Sequence, residues 1–231
     1  RGKREARFRW ELFEPQKQKL SIRVPSCWEE TEPDYEGVAW YGRNFNVPNT
    51  WKGRVIRLRF GAVNYVAEAW LNSEPAGFHE GGYTPFEFDI SDLVKFGEEN
   101  FLAVRVVGPP ITKEEIDGIV RDTIPHWRGS IAGGIWQSVE LVATAKTYVR
   151  DVFVEPKISE NVALVHVEID NKSLREEDVA AIFKVFNSEE PSRVVTQTEE
   201  KIKLSSGINE LSVNLNLDKS VLWSPENPRL Y

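Results

Sequence analysis

The chain has 231 residues, 41% hydrophobic and 28% charged, with a formal net charge of −7. That length suits one large all-β domain or two domains, and the composition is that of a soluble globular chain with a real core, not a disordered one. The acidic balance disfavours nucleic acid, no apolar run approaches the roughly 20 residues of a membrane helix, and the single cysteine, Cys27, excludes an internal disulfide.

The N-terminal "RGKREARFRWELF" has no apolar h-region, so no signal peptide is visible, and its basic cluster reads as a solvated tail. The period from there on is two. Leu20, Ile22 and Val24 alternate with Ser21 and Arg23; Ile56, Leu58 and Phe60 alternate with Arg57 and Arg59. In "HEGGYTPFEFDIS", residues 79–91, the pair Gly81-Gly82 predicts a sharp turn, and Phe86, Phe88 and Ile90 alternate with Glu87 and Asp89 in the strand after it. Leu102, Val104 and Val106 follow the same rule, as do Val165, Val167 and Ile169, and then Leu211, Val213, Leu215 and Leu217. Each run reads as a strand with one buried face. Further strands are expected at 38–47, 66–71, 135–142, 149–155, 179–187 and 193–203. No segment carries a long 3.6-residue period. "SDLVKFGEEN" has room for a single helical turn, and "SLREEDVAAIF" is ambiguous between helix and strand. Short strands separated by Gly, Pro and Asn predict an all-β protein built from β-sandwiches.

Trp and Gly are dense up to about residue 142 and thin out afterwards, which places a boundary near "ATAKTY", 143–148. The expected organisation is one sandwich over residues 1–145 and a second over 146–231. One long irregular stretch, 108–134, interrupts the first. A loop of that length in a compact domain is uncommon and often functional.

Chemistry is sparse. His79, His126 and His166 are far apart and Cys27 stands alone, so no ligand pair has zinc spacing, and no metal or cofactor is expected. "GSIAGG" lacks the Lys-Ser/Thr of a phosphate loop and reads as a turn before "IWQSVEL". There is no Gly-x-Ser-x-Gly, and Cys27 in "PSCWEE" reads as a structural thiol. Asn209-Glu210 has the look of an acid/base dipeptide but sits at the start of a strand, where a solvated end is expected. Asn171-Lys172-Ser173 is a chance sequon. The positive signal is aromatic: of 8 tryptophans, 7 precede residue 140. Aromatic faces stack on the C–H faces of sugars, and they also fill cores. Core filling is the expectation for most of them. Trp127 is the exception, lying in the polar loop between His126 and Arg128.

The ordered set "VPSCWEE", "GVAWYGRNFNVP", "WKGRVIRLRFGAVNYVAEAWLN", "GFHEGGYTPFEFDISDLV", "NFLAVRVV" and "GGIWQSVEL" resembles the N-terminal sugar-binding domain of glycoside hydrolase family 2, the β-galactosidase, β-glucuronidase and β-mannosidase family. "TYVRDVFVEPKI" through "LWSPENPRLY" resembles the immunoglobulin-like domain that comes second in those enzymes. The resemblance implies a jelly-roll, galactose-binding-domain-like sandwich over 1–145, with "EGGYTPFEFDI" as a hairpin turn and strand. It implies an immunoglobulin-like sandwich over 146–231, short of its closing strands.

The family retains anomeric configuration through two glutamates on a third domain, a (β/α)8 barrel of roughly 250 residues. The resemblance therefore places no catalytic residue in this chain. In several family members an aspartate shortly before the "GI" strand helps bind the sugar. The gap-free equivalent here is Arg128, a two-residue shift gives His126, and the aspartate in the neighbourhood is Asp122. The implied carbohydrate contacts are thus Asp122, His126, Trp127 and Arg128, with a catalytic barrel in cis as partner and homo-oligomerisation left open. Two other readings stand beside this one: a free-standing carbohydrate-binding module, and a structural or interaction sandwich with no sugar role.

Overall fold

The structure, a computed structural model, describes residues 20–32, 35, 37–108, 114–116, 119–121, 133–217 and 220–231; for 114–116 and 119–121 it describes the backbone. The described residues include fourteen strands: β1 Val38–Asn46, β2 Val55–Phe60, β3 Val66–Leu71, β4 Glu74–Glu80, β5 Phe86–Asp89, β6 Glu99–Val107, β7 Glu114–Ile116, β8 Ile119–Arg121, β9 Val139–Thr144, β10 Thr147–Lys157, β11 Val162–Asn171, β12 Glu177–Asn187, β13 Glu190–Leu204 and β14 Gly207–Asn216. Among the described residues there is no α-helix, only short 3-10 turns, so none is long and apolar enough to cross a membrane. The chain forms two compact units that meet between Ala143 and Thr144.

The first unit is a sandwich of a four-stranded sheet, β1-β6-β3-β4, and a three-stranded one, β5-β2-β9. Period-two patterning explains the layering. Ile56, Leu58 and Phe60 of β2 meet Ala67, Ala69 and Leu71 of β3 and Leu102, Val104 and Val106 of β6 in one core. Ile90 closes it from the end of β5, with Phe86 and Phe88 packed alongside. Arg57, which alternation assigns to solvent, is instead buried, because its guanidinium reaches Glu87 on β5 at 2.7 Å. Arg105 is likewise buried, paired across the sheet with Glu68 at 2.5 Å.

Several expectations need correcting. Residues 20–24 alternate like a strand but run irregularly into a cis Val24–Pro25 bond. β4 has no period-two signature because "EPAGFHE" carries a proline at its second position and a glycine at its fourth; Asn72 and Ser73, both at positive φ, turn the chain from β3 into it. "SLREEDVAAIF" runs as a bend into strand β12, not a helix, and "SDLVKFGEEN" forms a hydrogen-bonded turn in which the Leu93 amide donates to the Ile90 carbonyl. The stretch 108–134 is not wholly irregular, since β7 and β8 pair within it. Finally, "EGGYTPFEFDI" is not a hairpin. β4 belongs to the four-stranded sheet while β5 pairs with β2, so residues 81–85 carry the chain from one sheet to the other.

The second unit sets β10-β11-β14 against β12-β13. Val165, Val167, Ile169, Val213 and Leu215 pack on Val179, Phe183, Val185 and Ile202. β10 is an edge strand in this sheet, and its Val149, Val152, Phe153 and Val154 are all exposed. Asn171 is fully buried. Its amide donates to the carbonyls of Arg175 and Ser205, and its oxygen accepts from Ser173 and Thr147. The folded sequon therefore offers no free amide for glycosylation.

Candidate functional site

Two structures, both within the first unit, involve the residues just before 109 and just after 132. The first is a clamp at the two ends of the 109–132 segment. Trp28, only 4% exposed, stands on a 3-10 turn whose backbone is tied to the far side of the segment: the Ser26 amide donates to the Ile135 carbonyl and the Trp28 amide to the Gly133 carbonyl, both at 3.1 Å. The Gly133 amide returns a bond to Glu29 Oε1 at 2.8 Å. The indole lies against both Gly108 and Gly133, where a Cβ at either position would overlap its ring. Glycine is required at these positions for close approach, and the residues before and after 109–132 are held against one ring. Trp28 Nε1, Glu29 Oε2 and the Tyr41 hydroxyl are buried here with no hydrogen-bond partner among the described residues. Burial, chiefly, together with the Glu29 carboxylate, pushes the Tyr41 phenol up; the Ile135 backbone opposes this from nearby without a well-formed bond.

The second structure is the sheet-crossing turn. Asn64 and Gly134 exchange backbone hydrogen bonds of 2.9 and 3.0 Å, and the Gly81 amide donates to the Tyr65 carbonyl. The two glycines answer different needs. Gly81 has φ 141°, a region that disfavours side chains. Gly82 has an ordinary φ, but a Cβ there would sit 2.6 Å from Asn64 Oδ1. The Gly82 carbonyl accepts from Trp136 Nε1 at 2.8 Å, and the Trp136 ring meets Tyr83 at 5.9 Å and 70°. Behind them His79, Phe86 and Phe60 form a continuous stack, with centroid spacings of 4.0 and 4.9 Å.

Burial lowers the His79 pKa below its usual 6.5, while the Gly81 backbone and the Glu80 charge act the other way. An unfolded chain thus takes up this proton at higher pH than the folded one. The contribution of neutral His79 is fully present above 6.5 and is lost as pH falls from there through the folded value. His79→Phe keeps a ring on the stack and removes the titration. Its urea midpoint is expected to fall less than the wild-type midpoint between pH 7.5 and pH 5; parallel curves would refute the assignment.

Among the described residues the site offers rings and backbone amides. Burial, with Glu29 and Glu30 nearby, pushes the Cys27 thiol up, away from a reactive thiolate. Among the described residues no three His, Cys, Asp or Glu side chains stand close enough to hold a metal. Asp122, His126, Trp127 and Arg128 lie outside the described residues. Sequence reasoning found Gly81 and Gly82 but missed Trp28, Tyr83 and Trp136. The one available signal was that "PSCWEE" and "GGIWQ" each place a Trp two residues after a Pro-Ser or Gly-Gly pair.

A two-sheet sandwich carrying an aromatic turn cluster, followed by a second pair of sheets, defines the class: an all-β protein of tandem β-sandwiches. The chain belongs to glycosyl hydrolases family 2: the model of the family's sugar binding domain matches residues 20–145 and that of Glycosyl hydrolases family 2 matches 147–231. It is 32% identical over 204 residues to a beta-galactosidase of Thermoanaerobacter pseudethanolicus, covering 87% of this chain and 26% of that protein. It is 28% identical over 226 residues to a beta-glucuronidase of Bacteroides fragilis, covering 91% and 31%. The fold superposes on a Bacteroides uniformis beta-glucuronidase with a TM-score of 0.76 at 25% identity, over 91% of this chain and 26% of that one. The chain thus spans about a quarter to a third of the length of these relatives.

Proposed function

We propose that this chain is the non-catalytic front part of a retaining β-glycosidase, β-galactosidase-like in its substrate. The observation that carries the reading is the tiling: two family models account for residues 20–145 and 147–231 in order, and the relatives named above are three to four times longer. In such an enzyme the reaction needs two carboxyl groups about 5–5.5 Å apart, one as acid/base and one as nucleophile. A (β/α)8 barrel in cis would supply them, and the first sandwich would shape the rim of the barrel's active site. Asp122, His126, Trp127 and Arg128, carried by the segment that Trp28 clamps at both ends, are the candidate sugar contacts. Residues 1–145 serve as the jelly-roll sugar-binding domain and 146–231 as an immunoglobulin-like sandwich.

The test compares residues 1–231 with the enzyme that carries the barrel, on chromogenic β-galactosides, β-glucuronides and β-mannosides. Turnover is expected from the barrel-bearing enzyme alone, with Trp127→Ala in that enzyme raising KM. Hydrolysis by residues 1–231 would overturn the reading, since it requires two working carboxylates within them.

A further inference from the structure

The geometry points to Tyr83, held against Trp136, as a stacking platform for a pyranose ring, a sugar-binding position separate from residues 122–128. This rests on the reading of the first unit as a sugar-binding sandwich. Both residues fall within the stretch matched by the sugar binding domain, 20–145.

The argument is one of exposure combined with restraint. Tyr83 is 62% exposed, which for a large aromatic ring leaves apolar surface in water unless something covers it. Yet it does not stand on a free loop. Gly82, next to it, is buried and has no room for a Cβ, and its carbonyl holds the Trp136 indole at 2.8 Å. Asn64, which fills that space, is itself fixed by two backbone bonds to Gly134. The Tyr83 and Trp136 rings therefore meet at a preset 70°, walling two sides of a corner. A pyranose has an apolar face of C–H bonds and a rim of hydroxyls. One ring can take the face while the phenol hydroxyl of Tyr83 and the exposed hydroxyl of Thr84 meet the rim. Because the rings are positioned before the sugar arrives, little ordering entropy opposes binding.

Other exposed aromatic rings fit less well. Phe78, 56% exposed on β4, has no hydroxyl. Phe153, 60% exposed, stacks on His166 in the second unit, and Trp223 is near the end of the chain. Of these, Tyr83 alone combines the sugar-binding domain, a perpendicular ring partner and a polar edge.

The test is ligand-observed NMR on residues 1–231 with methyl β-D-galactopyranoside and methyl β-D-glucopyranosiduronic acid as probes, backed by quenching of tryptophan fluorescence. Expected are millimolar binding, saturation strongest on the C–H protons of one ring face, at least a tenfold loss of affinity in Tyr83→Ala, and a smaller, severalfold loss in Tyr83→Phe, which keeps the ring and removes the hydroxyl. Tyr83 is exposed, so both variants should fold, and their melting temperatures will verify it. Wild-type protein that binds neither probe overturns the platform while leaving the glycosidase reading intact, because that reading is decided by turnover. Binding that survives Tyr83→Ala but is lost in Trp127→Ala also overturns it, and moves the sugar to the 122–128 segment.

Discussion

Replacing Trp28 by alanine is expected to lower the stability of the first unit by about 3–5 kcal/mol, the range for removing a large buried aromatic. At roughly 2–4 °C per kcal/mol for a unit of this size, its melting transition should fall by about 10 °C. The reason is positional as much as volumetric. The indole fills the space left by two glycines, Gly108 and Gly133, and packs edge-on against Tyr35 at 5.2 Å. Collapse around the missing ring would require moving the ends of β6 and of the strand-ward segment at Ile135, both fixed by backbone bonds. Gly133→Ala attacks the same contact from the other side, since its methyl group must displace the ring, and should shift the transition in the same direction. Thermal unfolding followed by far-ultraviolet circular dichroism checks both. A loss below about 1 kcal/mol in Trp28→Ala would mean that the ring is not the wedge described.

Asn171→Ala should destabilise the second unit by about 2–3 kcal/mol and leave the first unchanged. The side chain has no exposure and makes five hydrogen bonds, to Thr147, Ser173 (two), Arg175 and Ser205. Removing it strands the Ser173 amide, at about 1–3 kcal/mol for a buried group left unpaired, and takes one of two donors from the Arg175 and Ser205 carbonyls, which keep Ser173 Oγ and Asn209 Nδ2. Asn171→Asp restores the acceptors and loses the two donated bonds, so it should recover only part of the loss. Urea unfolding of the alanine variant with no change in midpoint would sink the argument. A glycan found on Asn171 in folded protein would contradict the burial itself.

Legibility followed the range of the interactions. Strands such as β2, β11 and β14 were plain because their apolar residues alternate locally, and the family resemblance put them in order. β4 was hidden because Pro75 and Gly77 suppress that pattern; Gly77 is there because Phe88 occupies the space of its Cβ. Arg57 looked like a solvent residue because nothing near it in sequence announces Glu87. The same limit governs the site. The glycine pair of the turn could be read directly. The bond from the Gly133 amide to Glu29 joins residues 104 apart, and that from Trp136 to Gly82 joins residues 54 apart, distances at which no spacing rule operates.

The clamp at Trp28 has a consequence for how such a protein can change over generations. Closing a chain excursion costs an entropy that grows only with the logarithm of its length, about 0.6 kcal/mol for each doubling. With both ends gathered on one indole, residues can be inserted into or deleted from 109–132 with little effect on the sandwich that carries them. The sheets keep the fold while the excursion is free to diverge. Mutational tolerance should rise sharply just beyond Gly108 and fall again at Gly133.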